Sequence, residues 1–155
     1  MDYRLLGWSR SPKTIDGVES FSGPDGLAAM LPQCDVLVCL LPLTDATRGI
    51  MDAGLFAALP KGAVVINAAR GGHLVEPDLL DALDSGHLRG ASLDVFATEP
   101  LPADHPLWRH PKVRVTPHVA GVTHPSLCAE QVATAVKALR EGRPLPNLVD
   151  RSRGY

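Results

Sequence analysis

The sequence predicts an α/β fold built on a parallel β-sheet whose strands are joined by right-handed crossovers. Short apolar runs that are typical of buried strands alternate with helical patterns through most of the 155 residues. Fourteen Pro and fourteen Gly separate these units. Unusual polar residues follow the predicted strands, at the edge where parallel sheets bind ligands. These observations predict a ligand-binding α/β domain.

The first half of the chain contains two predicted strands and two predicted helices. Residues 3–8 are predicted as a strand, and residues 25–31, which lie between two prolines, as a helix. The continuous apolar run Val36–Leu41 is typical of a strand that is covered on both faces. Asp52 is placed to cap a short helix that ends at Leu59.

The second half continues the same alternation. Three further strands are predicted at Ala63–Asn67, Ala91–Phe96 and Lys112–Thr116. Between the first two of these, a helix begins near Pro77, and Gly86 is placed to end it. The last helix, about Pro125–Glu141, is closed by Gly142. Along it runs an apolar stripe formed by Cys128, Val132, Val136 and Leu139.

Composition and charge exclude several classes of protein. Fifteen Lys and Arg against seventeen Asp and Glu give a net charge of −2, which argues against a nucleic-acid or anionic-membrane partner. The longest apolar run is far shorter than the roughly 20 residues of a membrane span. The first four residues lack the apolar stretch of a signal peptide, so we expect no export.

The three cysteines, Cys34, Cys39 and Cys128, are odd in number and follow no metal-ligand spacing. We therefore expect reduced core thiols in a cytoplasmic protein, and no metal site.

Arg70 and His118 are the side chains best suited to bind a carboxylate and to move a proton. Arg70 follows a predicted strand and precedes two glycines, which let the backbone turn and leave the guanidinium room to enter a cleft. His118 follows the predicted strand that ends at Thr116, and histidine is the residue type best suited to general acid–base chemistry. The alternatives are a surface ion pair for Arg70 and a structural role for His118. The other five histidines are expected in loops or at the surface.

Two carboxylates complete the candidate set. Glu99 would orient a histidine and favour its charged form if it lay within hydrogen-bond reach, and would otherwise be a solvated loop residue. Asp94 is polar within a largely apolar strand, so it either orients an amide-bearing ligand or caps a turn.

Four segments carry a recognisable pattern: Asn-Ala-Ala-Arg-Gly at 67–71, Glu-Pro-Asp-Leu-Leu-Asp-Ala-Leu at 76–83, Gly-Ala-Ser-Leu-Asp-Val-Phe-Ala-Thr-Glu-Pro-Leu at 90–101 and Thr-Pro-His-Val-Ala at 116–120. In this order they resemble the D-isomer-specific 2-hydroxyacid dehydrogenase family. Segments 7–11, 106–108 and 149–155 are similar to the glyoxylate/hydroxypyruvate reductase A branch of that family.

The resemblance implies a Rossmann-like oxidoreductase that reduces glyoxylate- or hydroxypyruvate-type 2-oxo acids to 2-hydroxy acids by hydride transfer from a nicotinamide cofactor. Arg70 would hold the substrate's carboxylate and carbonyl, and His118 would donate the proton. Glu99 would keep that imidazole oriented and protonated, and Asp94 would meet the nicotinamide carboxamide.

Further roles follow from the same resemblance. The backbone of Ala68 and Ala69, together with His118 to Gly121 and hence Ala120, would line the nicotinamide side. Trp108 resembles a substrate-pocket tryptophan, the alternative being a plain core Trp. Intact members of the family are expected to be homodimers.

The residues after the first predicted strand bear on the choice of cofactor. An acidic residue there would bind the ribose 2′-hydroxyl of NAD, whereas an Arg accommodates the 2′-phosphate of NADP. Ser9, Arg10 and Lys13 supply hydroxyl and positive charge, and no acid occurs before Asp16. This favours NADPH, with NADH as the alternative cofactor. The other interpretation is that Arg10 is a solvated turn residue with no role in cofactor binding.

The sequence departs from the family in lacking the G-x-G-x-x-G fingerprint and the substrate domain. We therefore expect a partial Rossmann-like sheet without its central first strand, in which residues 3–8 and Val36–Leu41 are the second and third strands of the order 3-2-1-4-5-6. Two sheet edges would then be exposed. Residues 1–122 would form a truncated dinucleotide-binding domain, and 123–155 a helix and tail that pack on the absent substrate domain. The alternative function is a catalytically inactive fragment or a cofactor-sensing binding module.

Overall fold

The structure is a computed structural model and describes residues 3–121 and 123–149. Six strands are present: β1 (Leu5–Ser9), β2 (Val18–Ser22), β3 (Val36–Cys39), β4 (Ala63–Asn67), β5 (Leu88–Leu93) and β6 (Val113–Val115). Four α-helices accompany them: α1 (Gly23–Met30), α2 (Ala53–Ala58), α3 (Glu76–Asp84) and α4 (Pro125–Arg140). Short 3-10 turns occur at Leu31–Gln33, Gly71–His73 and Pro106–Trp108. No helix in these ranges is long and apolar enough to cross a membrane.

The strands form two parallel sheets, which confirms the predicted α/β class. One sheet contains β1 and β2, and the other has the order β3-β4-β5-β6. Alternate side chains of the inner strand β4, Ala63, Val65 and Asn67, are buried, and beside the sheet α2 packs on α3, which packs on β5. The carboxyl ends of β4, β5 and β6 consequently lie together at one edge of the larger sheet.

The predicted place of the run Val36–Leu41 is wrong. This strand, β3, pairs with β4 in parallel, with Val36 opposite Val64. It therefore belongs to the four-stranded sheet and not to the sheet that contains β1. The partner of β1 is β2, a strand that was not predicted because Val-Glu-Ser-Phe-Ser is short and mostly polar. Leu5 lies opposite Val18 in this pair.

The expected break between two groups of strands is observed in the described residues, in which no ladder joins β1 to β3. It falls beside β3, however, and Ala63–Asn67 is an inner strand between β3 and β5. Covering of β3 on both faces, by contrast, is not observed. Val36 and Val38 are 51% and 46% exposed, while the alternate residue Cys39 is buried. Within the described chain, only one face of β3 meets the core.

Local helix signals in the sequence operate as expected. The Asp52 side chain accepts a hydrogen bond from the backbone N–H of Leu55 (2.9 Å) and so caps α2. Pro77 stands in the first turn of α3, and Gly86 and Gly142 adopt the left-handed φ values of 74° and 64° that end α3 and α4. Start and stop positions therefore differ from the predictions by only a few residues.

The apolar stripe of α4 is largely exposed in the described part of the chain. Val132 and Leu139 are 61% and 67% exposed. Cys128, on the same stripe, is exposed, so the prediction of three core thiols is wrong for this residue. Cys34 and Cys39 are buried, and burial raises the pKa of both thiols. The proposed division at residue 122 stays a prediction.

Candidate active site

A cavity of about 330 Å³ opens at the carboxyl edge of the larger sheet. The side chains that line it include Arg48, Arg70, Phe96, Glu99 and His118. Arg70 comes from the loop after β4, Glu99 from the loop after β5, and His118 from the turn after β6. The three residues that the sequence singled out for catalysis thus meet around one space, since parallel strands deliver their following loops to a common edge.

Glu99 and His118 form a direct hydrogen-bonded pair. The Nδ1 atom of His118 lies 2.7 Å from Oε2 of Glu99, and the other carboxylate oxygen accepts the backbone N–H of Phe96 at 3.0 Å. The hydrogen bond with His118 and that from Phe96 hold the pKa of Glu99 below its usual range, and the charges of His118 and Arg70 act in the same direction. Slight burial opposes this effect. The carboxylate is therefore ionised near neutral pH and orients the imidazole.

Asp94 is the buried anchor of the turn that carries His118. One oxygen of its carboxylate accepts the backbone N–H of Val119 (2.9 Å) and the hydroxyl of Thr116, and the other accepts the N–H of Ala120 (2.9 Å). These bonds hold His118 at a φ of 54°, a left-handed conformation that is rare for a residue other than glycine. Asp94 follows β5 rather than lying within it.

Opposing effects act on the ionisation of this carboxyl group. Burial alone would raise the pKa of Asp94, but the hydrogen bonds from Thr116, Ala120 and Val119, together with the charge of His118, hold it below its usual range. The turn-capping alternative considered from the sequence is thus observed. The contact with a nicotinamide carboxamide stays a prediction.

The loop that carries Arg70 is held by the buried side chain of Asn67. Its amide nitrogen donates to the carbonyl of Arg70 (3.0 Å), and its oxygen accepts the N–H of Ala69 (3.1 Å). Gly71 then runs against the backbone of Phe96 so closely that a Cβ atom there would lie 1.9 Å from its carbonyl carbon. The glycine is required for this approach, which places Arg70 beside the loop of Glu99.

His73 lies in a loop, as expected for the remaining histidines, but it is not a surface residue. Its side chain is fully buried, with Nδ1 3.0 Å from the carbonyl oxygen of Arg70 and Nε2 3.3 Å from that of Pro42. It therefore links the Arg70 loop to the segment after β3. No periodic signal marks it, because its burial depends on two loops that are distant in sequence.

Trp108 lies apart from the residues that line the cavity. It is 50% exposed, and its Nε1 donates to the carbonyl of Pro102 at 2.9 Å. The alternative of a plain core tryptophan is therefore wrong, whereas its contact with a substrate stays a prediction.

The predicted cofactor residues lie at strand ends of both sheets. Ser9 ends β1, with its hydroxyl donating to the carbonyl of Ser11 (2.8 Å), and Arg10 and Lys13 follow at exposed positions. Hydroxyl and cationic donors of this kind suit a phosphate group.

At the other sheet, Ala68 and Ala69 follow β4, and Ala120 and Gly121 follow β6 at exposed positions. A Cβ added at Gly121 would meet nothing within 4 Å, so the backbone there is open to a ligand. The residues present thus fit the two ends of a nicotinamide dinucleotide. No group of three His, Cys, Asp or Glu side chains that could hold a metal ion occurs within residues 3–121 and 123–149.

Comparisons with known proteins point the same way. Residues 1–120 match the family described as D-isomer specific 2-hydroxyacid dehydrogenase, NAD binding domain. Glyoxylate/hydroxypyruvate reductase A of Serratia proteamaculans (strain 568) is 53% identical over 153 residues, which cover 99% of this chain and 49% of the relative. The chain thus spans about half the length of this curated relative.

Two solved structures superimpose closely on this chain. A D-isomer specific 2-hydroxyacid dehydrogenase from Xanthobacter autotrophicus Py2, in complex with NADPH and MES, gives a TM-score of 0.95 at 44% identity and covers 99% of this chain and 63% of its own. The NADPH-dependent glyoxylate/hydroxypyruvate reductase from Sinorhizobium meliloti, in complex with NADP and sulfate, gives 0.94 at 46% identity, with 99% and 50% covered. Sequence match, fold and the order of the site residues agree, and the chain belongs to the D-isomer-specific 2-hydroxyacid dehydrogenase family.

Proposed function

We propose that this chain is the part of an NADPH-dependent reductase that carries the catalytic side chains, and that the whole enzyme converts glyoxylate or hydroxypyruvate to the corresponding 2-hydroxy acid. The observation that carries the proposal is the His118–Glu99 pair facing the same cavity as Arg70. The names of the Serratia and Sinorhizobium relatives support the substrate class.

Arg70 binds the substrate carboxylate in this proposal. Its guanidinium has a planar set of donors that matches both oxygens of a carboxylate. One of its nitrogens, Nη1, donates to the carbonyl of Ala69 at 2.6 Å, which restrains the side chain while other donors stay available. A 2-oxo acid held in this way presents its carbonyl toward His118, which lines the same cavity.

His118 supplies the proton. Its Nδ1 is engaged by Glu99, so Nε2 is the nitrogen that donates to the carbonyl oxygen of the substrate. The bound nicotinamide cofactor supplies the hydride that adds to the carbonyl carbon. One hydride and one proton thereby turn the 2-oxo acid into a 2-hydroxy acid, and Glu99 stabilises the imidazolium before the transfer.

Cofactor choice rests on the donors after β1. Ser9, Arg10 and Lys13 offer a hydroxyl and two cationic side chains to a ribose 2′-phosphate, which favours NADPH over NADH. Ala68, Ala69, Ala120 and Gly121 hold the nicotinamide end in this proposal.

We also propose a cytoplasmic location. The thiols of Cys34 and Cys39 are free, and free thiols are typical of a reducing compartment.

The test is a joined protein in which the segment of the Serratia relative that precedes the match is fused to this chain. NADPH oxidation is followed with glyoxylate and with hydroxypyruvate. We expect turnover with both, and a loss of roughly 100- to 10,000-fold for His118→Gln, the usual scale for a general acid. His124→Gln, at an exposed histidine outside the cavity, is the matched control and should retain turnover.

The competing function is a cofactor-sensing module without catalysis. A catalytically inactive fragment is the other alternative, and the absence of a ladder between β1 and β3 in the described residues favours that alternative for the chain taken alone. A joined protein that binds NADPH but reduces neither acid would support the sensing module and contradict the reductase.

A further inference from the structure

We propose that His73 is a positioning residue for Arg70: the Nδ1 atom of its ring donates a hydrogen bond to the carbonyl oxygen of Arg70 and so fixes the backbone from which the guanidinium reaches the substrate. The inference rests on the proposed function, in which Arg70 binds the substrate carboxylate. It adds a side chain from outside the cavity lining, since His73 belongs to the 3-10 turn Gly71–His73 and is not among the described residues that line the cavity.

The ring of His73 is enclosed by protein. The residue is 0% exposed, and both ring nitrogens face carbonyl oxygens of the backbone. An imidazole carries a hydrogen on at least one nitrogen, and that nitrogen donates. Nδ1 lies 3.0 Å from the oxygen of Arg70, the usual distance of an N–H···O bond, whereas Nε2 lies 3.3 Å from that of Pro42, which is longer than usual. The geometry therefore places the hydrogen on Nδ1.

The carbonyl oxygen of Arg70 is held from two directions. The side-chain amide of Asn67, at the end of β4, donates to it at 3.0 Å. From the other side of the loop, the backbone N–H of His73 donates at 3.2 Å and the ring Nδ1 lies at 3.0 Å. Asn67 ties Arg70 to the strand before it, and the two donors of His73 tie it to the turn after it. Because the ring is fully buried, no water replaces its N–H when that donor is removed.

Neighbouring segments hold the turn that contains His73. The N–H of Gly49 donates to the carbonyl of Gly72 at 2.9 Å, and the N–H of Met51 donates to that of His73 at 2.9 Å. Both donors come from the segment before α2, and Met51 is buried. Through the ring of His73, Arg70 is thus attached to a buried part of the fold and not only to its own strand.

The position of the Arg70 backbone decides where its guanidinium lies. Nη1 of Arg70 donates to the carbonyl of Ala69 at 2.6 Å, a contact within the same loop. That contact moves with the loop, so it does not fix the guanidinium relative to His118. A loop released at the Arg70 carbonyl displaces the guanidinium from the substrate carboxylate. Binding energy of this kind is shared by the bound substrate and the transition state, so its loss raises KM and changes kcat little.

The test uses two substitutions that separate the nitrogens of the ring. The amide nitrogen of asparagine stands as many bonds from Cβ as Nδ1 does, and that of glutamine as many as Nε2. His73→Asn therefore keeps a donor toward Arg70 and loses the one toward Pro42, whereas His73→Gln does the reverse. Both changes remove the ring from the same buried site and lower the midpoint of thermal unfolding, so a purely structural role predicts no kinetic difference between them.

Kinetics are measured in the joined protein that tests the proposed function. We expect His73→Gln to raise KM for glyoxylate roughly 10-fold with kcat within about threefold, and His73→Asn to keep KM within about threefold. The backbone amide of residue 73 donates to the Arg70 carbonyl, so its hydrogen–deuterium exchange, corrected for intrinsic exchange, should be faster in His73→Gln than in His73→Asn.

His87→Asn is the matched control. Nε2 of His87 lies 2.8 Å from the carbonyl oxygen of Phe56, outside the cavity, so this change removes a contact between a ring nitrogen and a carbonyl of the same kind. It should lower the midpoint of thermal unfolding and leave KM for glyoxylate unchanged.

A measurement on the unmodified joined protein needs no variant. Nitrogen NMR should show hydrogen on Nδ1 of His73, and a bare Nδ1 would overturn the positioning role. Equal KM values for His73→Asn and His73→Gln, or a larger rise in His73→Asn, would overturn it as well. Exchange and NMR need no turnover, so a joined protein that reduces neither acid contradicts the proposed function alone, and these two measurements still decide whether His73 holds Arg70.

Discussion

The substitution Asp94→Asn tests whether a buried carboxylate holds the catalytic histidine in place. Asp94 accepts the N–H groups of Val119 and Ala120 and the hydroxyl of Thr116, which are three hydrogen bonds to one charged group. An amide of the same shape keeps one acceptor oxygen but turns an NH₂ group toward a backbone N–H. At least one of the bonds that fix the turn around His118 is then lost.

The expected cost follows from that count. A hydrogen bond to a charged group contributes about 1.5–3 kcal/mol. Relaxation of His118 from its left-handed conformation is favourable and offsets part of the free energy lost with that bond. We therefore expect the free energy of local opening to fall by about 2 kcal/mol. Hydrogen exchange at the amides of Val119 and Ala120 should then be roughly 30-fold faster.

The pH dependence has a defined sign. Because the pKa of Asp94 is lowered in the folded chain, its contribution to stability is fully present above the unfolded pKa of about 3.9 and is lost as pH falls through the folded value. The difference in the free energy of local opening between the native chain and Asp94→Asn should therefore become smaller below about pH 4.

The assay is hydrogen–deuterium exchange with mass spectrometry on the 155-residue chain at pH 7 and along a series down to pH 3, corrected for intrinsic exchange. Asp104→Asn, at an exposed loop position, is the control and should leave the turn protected. Equal protection of Val119 and Ala120 in Asp94→Asn and the native chain at pH 7 would refute the anchoring role.

Four further predictions address packing, proton transfer, cofactor choice and assembly. Gly71→Ala should lower the midpoint of thermal unfolding, since overpacking against backbone costs about 1–3 kcal/mol or more, whereas Gly121→Ala, which meets no atom within 4 Å, should not. In the joined protein, Glu99→Gln should move the pH–rate profile of turnover toward lower pH, because the imidazolium of His118 loses its anionic partner; an unchanged profile would exclude that role. Arg10→Asp should weaken NADPH binding roughly 10- to 150-fold and spare NADH, and equal affinity of the native joined protein for both cofactors would contradict the assignment. The 155-residue chain alone should elute above its 16.5 kDa monomer mass and leave NADPH unoxidised, since β1 and β3 have free edges; a monodisperse active monomer would refute this.

Features that depend on nearby residues were predictable from the sequence. The cap at Asp52, the start of α3 at Pro77 and the helix ends at Gly86 and Gly142 are set by backbone geometry within a few residues. The strand β4 was predicted with its bounds because Val-Val-Ile is apolar and β-branched throughout.

The convergence of Arg70, Glu99 and His118 was also predictable, because parallel strands place their following loops at one edge whatever their pairing order. That geometry holds even though the assumed place of β3 was wrong. The resemblance to the family predicted the roles of these residues, and the fold brings their side chains to one cavity.

Pairing and polar burial were decided by the tertiary structure. The partners of β1 and β3 are chosen by ladders between segments far apart in sequence, which no local pattern encodes. The burial of His73 and the three bonds to Asp94 likewise require loops that only the assembled sheet brings together. The sequence by itself determined which chemical groups this protein carries and in what order, and the fold decided which of them touch, because a hydrogen bond depends on distance in space rather than on separation along the chain.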